Sequence, residues 1–430
     1  MEYYDFIGIG VGPYNLSLAV LTEDMDDINA LFFDETDRLE WHPGMLIEGT
    51  DMQVPFLADL VTFADPTNRF SFLNYLHSHK RLHRFFFFHK LEVPRQEYND
   101  YLQWAADKIS SVHFGKKVVD VYEEDEHYVV IIHDIKTKVK MEYRTKHIVM
   151  ATGNEPLVFD NMQGYSEDDI LHTSQYLFKK EAITAADHIT IVGSGQSAAE
   201  IFHDLLQERE NKEFHLTWLT RSEGIFQLES AKLGQEFFSP DYIDYFHKLS
   251  LDKRKEALKI LDPLRNGIDY KTLNEIYEML YHYSIGAKNP RVMIQPLTEV
   301  NDLKMEGEHY ILKCRQWQTD ESFDYKTSKV ILATGYKPNI PEWFMKRFKD
   351  KIVWEDDLLF AVGRYYDLQF KEERPNRFYA VTNLEHSHGT AATNLSLAIQ
   401  RNMEIINHIT EEKRFDTEGK HIFQRFNWDS

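Results

Sequence analysis

The sequence predicts an α/β fold built from two Rossmann-like dinucleotide-binding domains, each with an antiparallel meander, plus a small helical insertion. Three observations lead there: a strand–glycine turn–helix unit occurs twice, a period-two stretch follows each unit, and each stretch closes on Ala-Thr-Gly. The first unit runs Tyr4-Asp5-Phe6-Ile7-Gly8-Ile9-Gly10-Val11-Gly12 into a helical stretch from Asn15 to Leu21. The second runs His188-Ile189-Thr190-Ile191-Val192-Gly193-Ser194-Gly195 into Gln196-Ser197-Ala198-Ala199-Glu200, with Gly193 lying 185 residues after Gly8. Alternating residues from Val118 to Ile135 and from Val300 to Trp317 read as meanders. They lead to Ala151-Thr152-Gly153 and Ala333-Thr334-Gly335, 182 residues apart, so motif and spacing recur together.

Chain order makes the first domain discontinuous: residues 1–165 and 331–430 enclose a second domain over 166–330. The aromatic, acidic stretch from Phe226 has no counterpart in the first half, and residues 226–290 are expected to form a helical insertion beside the site. A chain of 430 residues, 43% hydrophobic, can bury two cores.

Acidic residues outnumber basic ones 70 to 49, and the net charge of −21 repels nucleic acid and anionic lipid while attracting small cations. Cys314 is the only cysteine, which excludes an intramolecular disulfide and a dithiol redox pair and fits a reducing cytoplasm, where it packs as a strand residue. The first strand is expected to begin beside Met1, so no cleavable leader is expected, and no run approaches the roughly eighteen apolar residues of a membrane span.

In each turn, glycines allow a tight bend and close backbone approach to a pyrophosphate on the dipole of the following helix. Asp34 stands 22 residues after Gly12, at the end of Ala30-Leu31-Phe32-Phe33, where a carboxylate accepts from ribose hydroxyls and suits a nucleotide without a 2′-phosphate; FAD fits. Pro13 occupies the place of the usual third small residue. The second turn is followed by strand His215 to Leu219 and by Thr220-Arg221-Ser222, where a cation and hydroxyls match the 2′-phosphate of NADPH.

Gly8 to Leu16, Trp41-His42-Pro43-Gly44-Met45 and Met52-Gln53-x-x-Phe56-Leu57-x-Asp59-Leu60-Val61 together resemble the bacterial lysine and ornithine N-monooxygenases of hydroxamate siderophore synthesis. So do Ser71-Phe72-Leu73-Asn74-Tyr75-Leu76, Gly193 to Ala198, Ala333 to Tyr336, and the tail His388-Gly389 with Asn394-Leu395-Ser396-Leu397. The resemblance spans essentially the whole chain, is nearer to lysine than to ornithine enzymes, and makes the Gly12-Pro13 turn normal. It implies that Trp41, His42 and Gln53 line the flavin, with Gln53 at the isoalloxazine, and that Gly8, Gly10, Gly12, Pro13, Asn15 and Asp34 belong to the FAD site. It implies that Gln196, Ser197 and Arg221 hold NADPH, that Leu395 and Ser396 close the flavin site, and that several copies, commonly four, assemble. The implied reaction has NADPH reducing FAD and oxygen activated at flavin C4a passing to the neutral nitrogen of a small primary amine, with no metal.

One departure concerns the substrate. The family typically has Phe-Leu-Lys-Asp-Leu-Val, whose lysine pairs with the substrate α-carboxylate, whereas this chain has Phe56-Leu57-Ala58-Asp59-Leu60-Val61. The neighbouring asparagine segment is replaced, on a loose alignment, around Tyr281 to Ser284, so Ala58, Tyr283 and Ser284 are the expected substrate residues. A buried carboxylate without a cation is penalised by a few kcal/mol, on the order of ~1–3 kcal/mol, which favours an amine lacking that group, such as putrescine, cadaverine or histamine, over L-lysine or L-ornithine.

Other readings compete. His172-Thr173-Ser174-Gln175-Tyr176 is like an element of sulfur- and carbon-oxygenating flavin monooxygenases, although its spacing from Gly164 is too long; a flavin disulfide reductase needs two cysteines, and a catalytically silent nucleotide-binding protein would leave bound flavin unreduced by NADPH. His77, His79, His83 and His89 fit no standard ligand spacing and read as solvated helix and loop. Phe85 to Phe88 read as a partner surface, an access loop or a buried segment, and His386 and His388 as shapers of the flavin-closing turn.

Overall fold

In a computed structural model of the chain, which describes residues 3–209, 212–286 and 291–428, the two glycine turns lie in two separate sheets. Strand Tyr3–Ile9 is flanked by parallel strands Ala30–Phe33 and Lys140–Met150, with Val112–His113 and Phe378–Ala380 outside them. Parallel strands are buried on both faces, which is why Phe6, Ile7, Phe32 and Ile148 are all fully buried. Helix Pro13–Thr22 is apolar nearly all round because it lies between this sheet and helix Ala398–Thr410. Strand Lys140–Met150 serves twice. It pairs in parallel with Tyr3–Ile9 and antiparallel with His127–Asp134, which in turn pairs with Lys116–Glu124, so the first meander is continuous with the parallel sheet.

The second sheet repeats the order around His188–Val192: His215–Leu219 and Val292–Gln295 on one side, Lys329–Leu332 and Ile170–His172 on the other, all parallel. Its meander, Thr298–Glu306, His309–Gln316 and Glu321–Thr327, is a separate sheet. Cys314 is buried there among Leu303, Leu312 and Val330.

The chain crosses between domains twice, and the two crossings pair with each other: Asn154–Pro156 lies antiparallel to Tyr336–Pro338. Strand Lys329–Leu332 belongs to the second sheet, so a boundary at 331 falls inside a strand, and Met162, assigned from sequence to the first domain, packs in the second domain's core. Both boundaries therefore move outward to the paired crossings. No glycine- or proline-rich linker marks them, because paired backbone rather than flexible composition makes the joint.

The insertion is helical, comprising Lys232–Gln235, Pro240–His247, Leu251–Ile260 and Tyr270–Ser284; residues 287–290, at its expected end, lie outside the described residues. It divides between the domains. Ile243 packs with Ala391 and Leu397 of the C-terminal tail, and Arg254 donates to the His386 carbonyl at 2.8 Å and to Glu355 at 2.6 Å. Helix Tyr270–Ser284 instead lies on helix Gln196–Glu208. No helix among the described residues is long and apolar enough to cross a membrane.

Candidate active site

Strand register sets the correspondence between the two turns. Ile9 pairs with Phe33 and Met150, and Val192 with Leu219 and Leu332, so Gly10 matches Gly193 and Gly12 matches Gly195, an offset of 183 rather than the 185 counted from Gly8. Gly8 has no counterpart: a Cβ there would stand 2.2 Å from the Phe32 ring, so it serves strand packing. Gly10 (φ +86°) and Gly193 (φ +145°) would place a Cβ 2.4 Å and 2.1 Å from the carbonyl oxygens of Ala151 and Ala333. That contact explains why Ala-Thr-Gly recurs with the glycine turn: its alanine backbone presses against the bend. At Gly12 and Gly195 a Cβ meets no atom within 4 Å, and each caps its helix without any side-chain cap. The first N–H groups of both helices thus remain available to an anion, and Pro13 at the first helical position sacrifices no hydrogen bond.

The surrounding polar atoms fit dinucleotides. Asn15 donates to the Gly10 carbonyl at 2.8 Å, while its buried Oδ1 has no partner among the described residues. Asp34 accepts from Val11 N–H at 2.7 Å and from Thr36 N–H at 2.8 Å, which ties strand end to turn and leaves carboxylate lone pairs to accept from a ribose. In the second domain the matching position is Thr220, which is buried; Arg221 follows it, exposed, with its carbonyl held by the Trp317 indole at 2.8 Å and its guanidinium unpaired among the described residues. Ser197 is half-buried in the first turn of its helix. Gln196 departs from expectation. Its amide donates to Asp269 at 2.9 Å and Glu200 at 3.0 Å and accepts from Asp269 N–H at 2.8 Å, so this side chain is committed to the protein and offers a nucleotide only its backbone.

The residues expected to line the flavin lie on segments of the first domain that touch the second. Trp41 is held by its N–H to Asn99 at 2.8 Å, and its ring meets Tyr98 and His42 edge-on. His42 adopts a left-handed conformation and meets Tyr336, which in turn meets His172. Desolvation by the surrounding protein, reinforced by the Arg95 guanidinium, pushes the His42 imidazole down to about 4, so it is neutral at pH 7 although the residue is exposed. Gln53 is exposed on strand Asp51–Pro55, its amide without a partner among the described residues. Ala58 is buried, and its carbonyl accepts from Tyr98, the residue that touches Trp41. The next residue, Asp59, receives N–H groups of Val61, Thr62 and Phe72 and makes this run a rigid turn; burial raises its carboxyl, and those bonds oppose the shift. Leu395 and Ser396 form a short 3-10 turn capped by Asn394 and reach the FAD-type turn through Tyr14, whose hydroxyl donates to Thr393 at 2.7 Å. His388 is buried, stacked on Tyr366 at 4.2 Å, and His386 meets the Phe360 carbonyl, so both shape this tail.

Tyr283 and Ser284 are not brought to Ala58. Helix Tyr270–Ser284 meets strand Asp51–Pro55 at its first turn, where Lys271 donates to Asp51 at 3.0 Å, and twelve residues of helix carry Tyr283 roughly 18 Å away. Ser284 bonds the Tyr281 carbonyl. The helix start, not its end, faces the site.

Two features escaped sequence reasoning. Gly44 is pressed on the second domain, since a Cβ would stand 1.8 Å from the Ser174 carbonyl, and Met45 is buried in the second core, so the Trp-His-Pro-Gly-Met run is also a domain contact. Arg95 and Glu200 form a two-bond pair at 2.9 and 2.7 Å across the domains, and Arg95 also donates to the Met45 carbonyl. A charged Glu200 within Ala198-Ala199-Glu200-Ile201-Phe202 was the available signal.

The chain matches the family model described as L-lysine 6-monooxygenase/L-ornithine 5-monooxygenase over residues 2–338. It is 36% identical over 98% of its length, and 84% of the relative's, to a putrescine N-hydroxylase of Shewanella oneidensis. Among solved structures, the FAD-bound cadaverine monooxygenase of the desferrioxamine biosynthetic pathway from Erwinia amylovora superposes with a TM-score of 0.95 at 33% identity, covering 100% of both chains. The ornithine N-hydroxylase of Kutzneria sp. 744, solved with reduced FAD, NADP⁺ and L-ornithine, gives 0.88 at 26% identity over 95% of this chain and 99% of its own.

Proposed function

The chain belongs to the L-lysine 6-monooxygenase/L-ornithine 5-monooxygenase family, and from that premise we propose that it N-hydroxylates a terminal primary amine of a small diamine for siderophore biosynthesis, using FAD, NADPH and dioxygen. It is an NADPH-dependent flavin monooxygenase. The observation that carries the substrate class is Ala58: the family's carboxylate-pairing lysine is replaced by a buried alanine, whose carbonyl accepts from the Tyr98 hydroxyl. Cations that pair with strand Asp51–Pro55 or cross between the domains are already engaged, Lys271 and Lys90 by Asp51 and Arg95 by Glu200. An amino-acid carboxylate would enter without a partner, whereas a diamine carries none.

The residues divide the work. The Gly10–Gly12 turn, the start of helix Pro13–Thr22 and Asp34 would hold FAD; the Gly193–Gly195 turn, Ser197 and Arg221 would hold NADPH, the last by its 2′-phosphate. Together these cofactors supply the electrons that activate dioxygen. Gln53 presents an amide able to donate and accept on the flavin side. His42, exposed but with its imidazole pushed down to about 4 by the surrounding protein and the Arg95 guanidinium, adds no positive charge that would oppose an amine. The Leu395–Leu397 turn, tied to Tyr14, closes the tail over the first turn and limits water. Assembly into several copies belongs to the same proposal, supported by the family resemblance, as does a cytoplasmic location, supported by a single, buried cysteine.

A panel of putrescine, cadaverine, histamine, L-lysine and L-ornithine, scored by hydroxylamine formed rather than NADPH consumed, tests it. A diamine should give the highest kcat/KM; faster hydroxylation of L-lysine than of every diamine overturns the substrate assignment.

A further inference from the structure

Helix Ala398–Thr410 carries a buried cation without a counter-ion. Arg401 is 1% exposed, yet no carboxylate pairs with it among the described residues. Glu404, one turn further along the helix, is taken by Arg364 at 2.7 and 3.0 Å, and Glu385, whose field reaches Tyr14, is paired with Arg265. Arg401 instead donates to the carbonyls of Ala392 and Val381 and meets the hydroxyls of Tyr14 and Tyr366, while its Nε has no partner among the described residues. All of these groups are neutral, since burial raises both phenols. The Tyr14 and Tyr366 rings lie 4.6 and 5.3 Å from the guanidinium carbon and attract a cation, but they carry no net charge. An uncharged amide could hold a carbonyl equally well, so these bonds explain where the side chain sits and not why it is charged. A buried charge that nothing balances is costly, which points to an anion close by.

Tyr14 fixes where that anion would stand. It is the second residue of helix Pro13–Thr22, directly after the Gly10–Gly12 turn, and Asn402 beside Arg401 donates to its carbonyl at 2.9 Å. The guanidinium is therefore one aromatic ring away from the start of the helix. The segments it holds border the same turn: Val381 N–H donates to the Met150 carbonyl at the strand end, and the Thr382 hydroxyl accepts from Gly153 N–H at 3.2 Å. The second turn has no such excess. By the register offset Tyr14 corresponds to Ser197, and Arg95, the cation beside that helix, is balanced by Glu200 at 2.9 and 2.7 Å.

We infer that Arg401 is the counter-charge of the FAD diphosphate, a positioning residue that acts across the Tyr14 ring and has no equivalent at the second turn. The inference rests on the reading that the Gly10–Gly12 turn holds FAD. A diphosphate at the helix start supplies the negative charge that the fold withholds from Arg401, so cofactor binding and fold stability are linked through this one side chain.

Titration of the flavin-stripped full chain with FAD, and with riboflavin, which has the same ring system but no phosphate, tests this. Arg401→Gln should raise the FAD dissociation constant at least ~10-fold, leave that of riboflavin within about 2-fold, and melt without flavin no lower than the parent. Arg401→Lys keeps the charge and should bind FAD within about 3-fold of the parent, and its two flavin affinities decide the matter if Arg401→Gln does not fold. Equal losses of FAD and riboflavin, a flavin-free Arg401→Gln chain destabilised as much as the FAD-loaded one, or Arg401→Lys as weak as Arg401→Gln would each reduce Arg401 to a bracket for the tail and overturn the inference. Failure of the underlying reading looks different, because Gly10→Ala would then keep its flavin. Failure of the inference alone leaves Gly10→Ala colourless and gives Arg401→Gln the parent's affinity for FAD.

Discussion

The two glycine turns are built alike and finish differently. Each bends against the carbonyl of an Ala-Thr-Gly alanine and offers an uncapped helix start, yet the adjoining strand ends in Asp34 in one domain and in Thr220-Arg221 in the other. The Asp34 carboxylate is drawn into its own turn by Val11 N–H, while Arg221 is left exposed with only its backbone held. Their surroundings differ as well: the first turn is covered by the C-terminal helix through Tyr14 and Asn402, and the second by the insertion through Gln196 and Asp269. The difference teaches that the backbone of a glycine turn can be duplicated intact while the side chains at the adjoining strand end diverge, which is where the proposed choice between nucleotides would be made.

The largest effect expected from breaking this symmetry comes from the turns themselves. Gly10→Ala sets a Cβ against the Ala151 carbonyl at a left-handed position and should yield colourless protein, whereas Gly193→Ala should keep its flavin and lose NADPH efficiency by ~100-fold or more. Flavin absorbance and steady-state kinetics separate the two. Equal loss of flavin from both variants would mean that the domains do not divide the cofactors.

Next in size is the link between the halves. With side chains only 14% and 3% exposed, Arg95 and Glu200 form a buried pair, and Glu200→Ala should cost about 3–5 kcal/mol by leaving an uncompensated guanidinium. Calorimetry should then resolve separate unfolding of the two domains, whereas an unchanged single transition would show that other contacts suffice.

A smaller change is expected at the strand end. Arg221→Ala should lower kcat/KM for NADPH by ~10–100-fold, the equivalent of about 1.5–3 kcal/mol, and leave NADH nearly untouched. A parallel fall for both nucleotides would remove Arg221 from 2′-phosphate recognition.

The mildest test uses acid. Burial lowers His42 to about 4 and His147 to about 3 in the first domain and depresses His113, His386, His388 and His408 there, against His172 and His215 in the second. Each folded value lies below the unfolded one, so below about pH 6.5 the unfolded chain binds protons that the folded chain refuses, and stability falls until the folded value is reached. Hydrogen exchange at pH 5 should therefore loosen the first sheet before the second; the reverse order would contradict the assignment.

Much of this was legible in the residues. The strand Tyr3–Ile9 and the strand His215–Leu219 appear where apolar runs and glycines put them, because local steric rules govern both. The offset was misread by two residues because glycine identity does not reveal register: Gly8 is a packing glycine, and only strand pairing distinguishes it from Gly10. The placement of Tyr283 failed for a related reason, since a loose local match cannot say which end of a helix faces a site.

Sequence alone determined the duplicated nucleotide fold, the asymmetry between Asp34 and Arg221, and an alanine at position 58 where the family it resembles typically has lysine. These are properties of residue type at short range, where chain geometry leaves few alternatives. Tertiary structure decided the rest: that Gln196 is spent on Asp269, that Gly44 and Met45 join the domains, and that Lys90 and Lys271 share Asp51. Such contacts join residues far apart in the chain, and their energy depends on distance and burial, which no spacing along a single sequence encodes.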